Sequence, residues 1–194
     1  MNQVKNILLV GVGGQGTILV SKILTQGLIK TGYDVKMSEI HGMAQRGGSV
    51  STQVRYGDKV YSPIIGRGGA DILVAFEKME AVRYAEFLKP TGIVVINNYA
   101  IAPMPVAAGT AVYPEGSIEA MSKAFKTISF NAAEIAQRIG NSRTMNIVLF
   151  GAMVKAFGMT DIDWEQALRI QLPEKLLEVN LKAFRAGGTI IKSI

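Results

Sequence analysis

The chain has 194 residues, of which 48% are hydrophobic and 19% are charged. This composition excludes a disordered chain and predicts one well-buried domain over residues 1–194. Its formal charge of +6 favours an anionic ligand or an acidic partner, although lysines and arginines scattered without runs argue against nucleic acid. It contains no cysteine, which excludes disulfides, thiolate-held zinc, cysteine-ligated iron–sulfur clusters and a thiol nucleophile, and fits a cytoplasmic protein.

The first elements along the chain alternate between strand and helix. The apolar run ILLV ends at glycines, so it is too short for a signal peptide or a membrane span and predicts a strand instead. Apolar residues from Ile18 to Leu28 then recur at helical spacing, and Gly32 ends that helix. Residues 34–40 predict a second strand. Together these elements predict a βαβ unit with a right-handed crossover and a parallel sheet.

A predicted hairpin and a second strand–helix–strand succession follow. Residues 49–57 alternate in polarity, and a turn at Gly57 leads to residues 59–65 as the expected partner strand. Residues 71–77 form a continuous apolar run of the kind that is buried on both faces of a sheet. We expect a helix over residues 77–92, ended by the proline and glycine near its close, and then a further buried strand.

The remainder of the chain is predominantly helical. Residues 100–116 contain three prolines and predict an irregular crossing with a short strand. After one more helix and strand, the sequence predicts helices over residues 132–140, 144–158 and 163–172, and a last helix beginning at Pro173. The predicted fold class is therefore α/β, a Rossmann-like three-layer α/β/α sandwich with a mostly parallel sheet, a β-hairpin insertion and a helical C-terminal third.

The segment GVGGQG, residues 11–16, has the spacing G-x-G-x-x-G between a strand and a helix. In such loops the first glycine permits a tight turn, the second lets the backbone approach a phosphate, and the third lets the helix pack closely; here these are Gly11, Gly13 and Gly16. The start of the following helix offers free N–H groups to an anion. Glu39, at the end of the second strand, stands where an NAD enzyme has its ribose-binding acid. Loops of this kind also occur in Rossmann-like domains that bind no nucleotide.

An arginine followed by paired glycines occurs twice. The two tetrapeptides are Gln45-Arg46-Gly47-Gly48 and Gly66-Arg67-Gly68-Gly69. Converging backbone N–H groups and a guanidinium can bind phosphate or carboxylate, so we consider Arg46 a candidate ligand contact and Arg67 a weaker one. The alternative is that both arginines pair with acidic residues of this chain or of a partner. The first tetrapeptide leaves the carboxyl end of a strand, where open α/β sheets bind ligands, whereas the second enters a strand.

His41 is the only histidine of the chain. A Ser-His-Asp hydrolase would need a nucleophile elbow, and the pattern G-x-S-x-G is absent. A metal site would need further ligands, so we expect no metal. A general base is one interpretation of His41. The interpretation that we prefer is a residue that orients the loop at 41–48 or reaches a site on another subunit.

Five blocks of the sequence carry a resemblance to a known family. They are GVGGQG, SEIHGMAQRGGSV, DILVAFE, GIVVINN and TMNIVLFGAM, and they span essentially the whole chain. The chain resembles the gamma subunits and domains of the 2-oxoacid:ferredoxin oxidoreductases, and among them the small subunit of the indolepyruvate enzymes. The second block is the most specific, because it is not a generic turn sequence.

The resemblance implies a role in a larger enzyme. The family decarboxylates a 2-oxoacid oxidatively with thiamine diphosphate, transfers the acyl group to coenzyme A and passes electrons through iron–sulfur clusters to ferredoxin. It implies a hetero-oligomer in which a large partner subunit holds the thiamine diphosphate and the clusters, and an isolated chain that is inactive. A homodimer is the alternative assembly for the chain when it is isolated. Gly11, Gly13, Gly14, Gln15, Gly16 and the loop at 41–48 would then face coenzyme A phosphates or the partner.

Three alternatives remain open on the sequence alone. A stand-alone NAD(P)-binding oxidoreductase is suggested by GVGGQG and Glu39. An adenylating or nucleotide-binding domain is suggested by the paired Gly13 and Gly14, although adenylating enzymes usually add cysteines that this chain lacks. A module that fills a partner's surface and binds no ligand is the third.

Overall fold

The computed structural model describes residues 4–42 and 47–191, and its centre is a six-stranded sheet with the order β2-β3-β1-β4-β5-β6. The strands are β1 Lys5–Val12, β2 Asp34–His41, β3 Ser49–Gly57, β4 Ala70–Ala75, β5 Leu88–Asn97 and β6 Lys126–Phe130. β1, β4, β5 and β6 pair in parallel, whereas β3 runs antiparallel to both of its neighbours. The predicted mostly parallel sheet is confirmed.

The helices cover both faces of the sheet. They are α1 Thr17–Lys30, α2 Lys78–Arg83, α3 Met104–Ala107, α4 Ser117–Ala124, α5 Ala132–Ile139, α6 Met145–Ala156, α7 Trp164–Gln171 and α8 Glu174–Ile190. The last four confirm the predicted helical C-terminal third. No helix in the described ranges is long and apolar enough to cross a membrane.

The alternating direction of the side chains along β1 explains why helices cover both faces of the sheet and the fold has three layers. Ile7 and Leu9 point into a core shared with α1, α6, α7 and α8, whereas Leu8 and Val10 point into a second core shared with α2 and α4. All four side chains are essentially inaccessible to solvent. Successive side chains of a strand face opposite sides, so an unbroken apolar run is what a strand covered on both faces requires.

β3 lies between the two strands of the predicted βαβ unit. β1 and β2 run in the same direction, as the sequence predicted, but β3 is hydrogen-bonded between them. β2 is thereby displaced to the edge of the sheet, where its side chains are only partly buried, while β3 is buried along most of its length. Because β3 lies between them, the side chains of β2, Glu39 among them, are one strand further from the glycine loop at the end of β1 than the sequence predicted.

The predicted pairing of residues 49–57 with residues 59–65 is wrong. Both edges of β3 are occupied by β1 and β2, so the hairpin consists of β2 and β3, and residues 59–65 form no strand. Hydrogen bonds to side chains of β2 and β3 fix residues 59–65 in place instead. The Val60 N–H donates to Asp34 Oδ2 at 2.9 Å, and the Arg55 guanidinium donates to the Ser62 carbonyl at 2.8 Å.

The helix predicted over residues 77–92 is shorter than expected. α2 ends at Arg83, a single 3₁₀ turn follows at Ala85–Phe87, and β5 already begins at Leu88. Pro90 and Gly92 therefore lie within β5, beside an irregularity in its pairing with β4, where a strand tolerates both residue types. The short strand expected within residues 100–116 is also wrong, because that segment contains α3 and irregular backbone.

Candidate functional site

The two glycine segments meet at the carboxyl edge of the sheet. β1 ends there with Val12, and because β3 runs the opposite way, its first residue lies at the same edge. The Gly13 N–H donates to the Gly48 carbonyl at 2.9 Å, which joins the loop at 11–16 to the end of the loop at 41–48. Ligands of open α/β sheets bind at this edge, so the junction is the candidate site.

Gln15 forms the floor of the first loop. Its side chain is buried, its Oε1 accepts the Val12 N–H at 2.8 Å, and its Nε2 donates to the Phe76 carbonyl at 2.8 Å. The amide therefore connects the ends of β1 and β4. Both polar ends of the side chain are used by the protein frame, and this role of Gln15 was not visible in the sequence pattern.

The glycines of the loop serve different needs. Gly11 and Gly16 are required by packing, since a Cβ at Gly11 would lie 2.8 Å from Gln15 Oε1, and one at Gly16 would lie 2.4 Å from Asn146 Nδ2. Gly14 is exposed, has a φ of +99° and has open space around its Cβ position. Gly14 and the half-buried Gly13 are therefore the parts of the loop that a ligand can approach.

The start of α1 is suited to an anion. Gly16 caps the helix with a φ of +80°, without a side-chain hydrogen bond, and the first turn contains no acidic residue. The first N–H groups of a helix lack intrahelical partners and lie at the positive end of its dipole. Together with the backbone at Gly14, this arrangement can receive a phosphate or carboxylate.

A buried carboxylate, Glu80, holds the second glycine segment in place. Glu80 is 2% exposed; it accepts the Ser49 hydroxyl and, at 3.0 Å, the Arg83 Nε. Because Ser49 directly follows Gly48, α2 fixes the position of this segment beside the first loop. Sequence reasoning missed Glu80, because its partner Ser49 is far away along the chain.

Glu77, two residues after the end of β4, is fully buried and organises the same edge. Its Oε2 accepts the N–H groups of Met79 at 2.7 Å and Glu80 at 3.1 Å, which caps α2. Its Oε1 accepts the Ile101 N–H at 3.3 Å and the Tyr113 hydroxyl. Burial of the phenol raises the pKa of Tyr113 above its ordinary value, and the neighbouring Glu77 carboxylate raises it further. This cap was not predictable from the sequence, because glutamate is not among the residue types that usually cap a helix start.

The position of Glu39 does not favour the NAD(P) alternative. Glu39 Oε1 accepts the Ser21 hydroxyl of α1 at 3.1 Å. β3 separates its strand from β1, which places it two strand spacings, roughly 9–10 Å across the sheet, from the strand that carries the glycine loop. A ribose-binding acid belongs on the strand next to β1. His41, on the same face of β2 as Glu39, is exposed.

The two Arg-Gly-Gly segments lie at opposite ends of the sheet. Gly47 and Gly48 are at the carboxyl edge; Gln45 and Arg46, which precede them, lie outside the described residues. Arg67 precedes β4 and is therefore at the amino edge, where its Nε lies 3.3 Å from Glu86 Oε2 in an exposed ion pair. Within the described ranges there is no cluster of three or more metal-ligating side chains.

The comparisons with known proteins agree with this fold. The family described as pyruvate ferredoxin/flavodoxin oxidoreductase matches residues 6–190. The chain belongs to this family. Indolepyruvate oxidoreductase subunit IorB of Archaeoglobus fulgidus is 42% identical over 94% of this chain and 92% of that protein. The subunit of the same name from Thermococcus kodakarensis is 37% identical over 97% of this chain and 96% of that protein.

Two solved structures show the same architecture. The gamma subunit of a keto/oxoacid ferredoxin oxidoreductase from Geobacter sulfurreducens PCA superposes with a TM-score of 0.71 at 27% identity, over 96% of this chain and 97% of that one. A 2-oxoglutarate:ferredoxin oxidoreductase from Magnetococcus marinus gives 0.78 at 20% identity over the whole of this chain but only 32% of that one, a likeness of fold. The predicted gamma-type oxidoreductase subunit is confirmed.

Proposed function

We propose that this chain is the small subunit of an enzyme that oxidises indolepyruvate or a related aryl pyruvate to an acyl-coenzyme A, with electrons passed to ferredoxin. The observation that carries this proposal is the match to the IorB subunits, at 37–42% identity over nearly the full length of both proteins. The subunits of the ketoisovalerate and 2-oxoglutarate enzymes match at only 27–29%.

The thiamine diphosphate and the clusters belong on a partner subunit. A chain without cysteine has no thiolate for a cluster. Its residues do not fit thiamine diphosphate either, because Gly57-Asp58 is followed by Lys59 instead of the glycine that the G-D-G motif requires. The motif continues with a pair of asparagines, and Asn97-Asn98 lies too far along the chain to be that pair. Asn97 is buried and donates to the Phe76 carbonyl at 3.0 Å. These residues support a division in which the redox chemistry takes place on the larger chain.

This chain contributes to the coenzyme A side of the site in our proposal. The exposed backbone at Gly14 and Gly47, the half-buried Gly48 beside them and the start of α1 supply N–H groups for phosphate oxygens. Gln45 and Arg46 directly precede Gly47, and a contact between Arg46 and a phosphate stays a prediction. The chain's own residues would bind and orient the thiol acceptor, while the 2-oxoacid reacts on the partner.

The substrate is tested with the complex of this chain and its co-expressed large subunit. We expect kcat/KM for indolepyruvate to exceed that for 2-oxoglutarate and 2-ketoisovalerate at least tenfold, measured with coenzyme A and a low-potential electron acceptor. A clear preference for another 2-oxoacid would contradict the substrate assignment. A purified complex that oxidises no 2-oxoacid would contradict the proposed function as a whole.

A further inference from the structure

A segment without charge follows β5 at the carboxyl edge of the sheet. Residues 90–114 contain no charged residue, although Lys89 and Glu115 flank them. The part beyond β5, residues 98–114, is named here the strap. It leaves the sheet beside the end of β4, so it lies at the same edge as the candidate site.

The strap exposes apolar side chains to an unusual degree. Val112 is 90% exposed, Met104 is 80% exposed, and Tyr99 is also exposed. Single apolar residues on a surface are ordinary, whereas several exposed apolar side chains on one segment without charged residues point to an interaction site. Alanines and prolines occupy most of the positions between them, so the strap itself contributes no ionic group. The Lys78 ammonium of α2 lies over the Tyr113 ring, 5.2 Å from its centre, at the end of the strap.

Hydrogen bonds fix the strap to the body of the protein. The buried carboxylate of Glu77 accepts the Ile101 N–H near one end and the Tyr113 hydroxyl near the other. The Tyr99 carbonyl accepts the Lys78 N–H at 3.1 Å. A surface that is already ordered loses little conformational entropy on binding, which favours tight association.

We propose that the strap is the docking surface for the larger subunit of the same enzyme; this inference rests on the proposed function. The ketoisovalerate oxidoreductase subunit VorA contains the equivalent of this chain within only 34% of its length, so there the same unit shares a polypeptide with further enzyme sequence. Permanent interfaces are more hydrophobic than transient ones, and their centres are depleted in charge, as the strap is. Docking at this edge also brings the larger subunit next to the glycine loops.

The decisive experiment compares lysine substitutions of matched exposure in the full-length chain. Val112→Lys and Met104→Lys place a charge in the strap, whereas Tyr61→Lys does so at the opposite edge of the sheet, where Tyr61 is 89% exposed. Affinity for the immobilised, co-expressed large subunit is measured for each variant whose melting temperature equals that of the wild type. We expect the two strap variants to bind at least about tenfold more weakly, and Tyr61→Lys to bind like the wild type.

A second measurement uses only the wild-type proteins. Hydrogen–deuterium exchange of the complex should slow in residues 98–114 and stay unchanged in residues 58–64. Strap variants that bind as tightly as Tyr61→Lys, or a strap whose exchange the large subunit does not alter, would overturn the inference. So would a wild-type chain that dimerises by itself and is made monomeric by Val112→Lys. A wild-type chain that fails to bind the large subunit at all would instead count against the proposed function.

Discussion

Gly14 is the residue at which a side chain can be added to the glycine loop without a clash. Its Cβ position has no neighbour within 4 Å, and its φ of +99° is one that aspartate tolerates better than most residues. In Gly14→Asp a carboxylate would stand where we propose a phosphate. Repulsion of about 1 kcal/mol or more would raise the KM for coenzyme A roughly fivefold and leave the KM for the 2-oxoacid unchanged.

Gly140 provides the matched control for that substitution. It has a φ of +101°, equally open surroundings and a position at the C-terminal end of α5, outside the glycine loop. Gly140→Asp carries the same charge and the same backbone strain, so it should leave the KM for coenzyme A as it is in the wild-type complex. Equal KM values for coenzyme A in the two variants would show that the glycine loop does not contribute to the coenzyme A site.

Gln15 should prove to be a structural residue. Gln15→Ala leaves the buried Val12 N–H without its acceptor, which costs about 1–3 kcal/mol of unfolding free energy, while the Phe76 carbonyl keeps its bond from Asn97. Urea denaturation of the isolated chain measures this loss. Gln137→Ala, at an exposed position of α5, should change stability by no more than about 0.5 kcal/mol. Equal stability of the two variants would disprove the role assigned to Gln15.

The site residues were only partly predictable from the sequence. The spacing of residues 11–16 between a strand and a helix was sufficient to place the loop at the carboxyl edge. The inward direction of Gln15 was not predictable, because it depends on the Phe76 carbonyl, which is 61 positions away along the chain. The bond between Ser49 and Glu80 spans 31 positions and was missed for the same reason.

At the scale of elements, α6 and α8 pack with their backbones in direct contact. A Cβ at Gly187 would lie 1.9 Å from the Val148 carbonyl oxygen, and one at Gly151 would lie 2.0 Å from the Phe184 carbonyl oxygen. Gly187→Ala must therefore separate the two helices, and we expect it to lower the unfolding free energy by at least about 2 kcal/mol. Thermal or urea denaturation of the isolated chain measures the effect.

The neighbouring Gly188 tests whether this effect comes from packing or from helix propensity. The nearest atom to its Cβ position is the Gly151 carbonyl oxygen at 3.9 Å, so an alanine fits there. Gly188→Ala should leave stability unchanged or raise it by up to about 1 kcal/mol, since alanine favours a helix more than glycine does. A comparable loss of stability in both variants would show that the close approach at Gly187 is not the cause.

The existence of the elements was easier to predict than their pairing. Helical periodicity and apolar runs located β1, β4, α1 and the C-terminal helices, because these signals are local. The alternation within β3 indicated a strand but not its neighbours, since pairing depends on which sheet edges remain open in the assembled fold. The end of α2 was misjudged because Pro90 is tolerated at an irregular position of β5.

At the scale of the whole molecule, the composition indicates a division of labour between chains. A basic chain without cysteine cannot ligate an iron–sulfur cluster through thiolates, yet it belongs to a family of ferredoxin oxidoreductases. A few sequence blocks are sufficient to indicate that family, because their residues are specific to it. No local pattern could show which surface faces the partner, because the strap becomes conspicuous only when exposure and charge are considered together.

In the function that we propose, catalysis requires this chain together with a larger subunit that holds the thiamine diphosphate and the clusters. This requirement is tested most directly by titrating the purified chain onto the purified large subunit and measuring the coenzyme A-dependent reduction of a low-potential acceptor by indolepyruvate. We predict no turnover by this chain alone and a rate that rises to a plateau as it is added to the large subunit. Turnover by the isolated chain, or a rate that its addition does not change, would contradict the account.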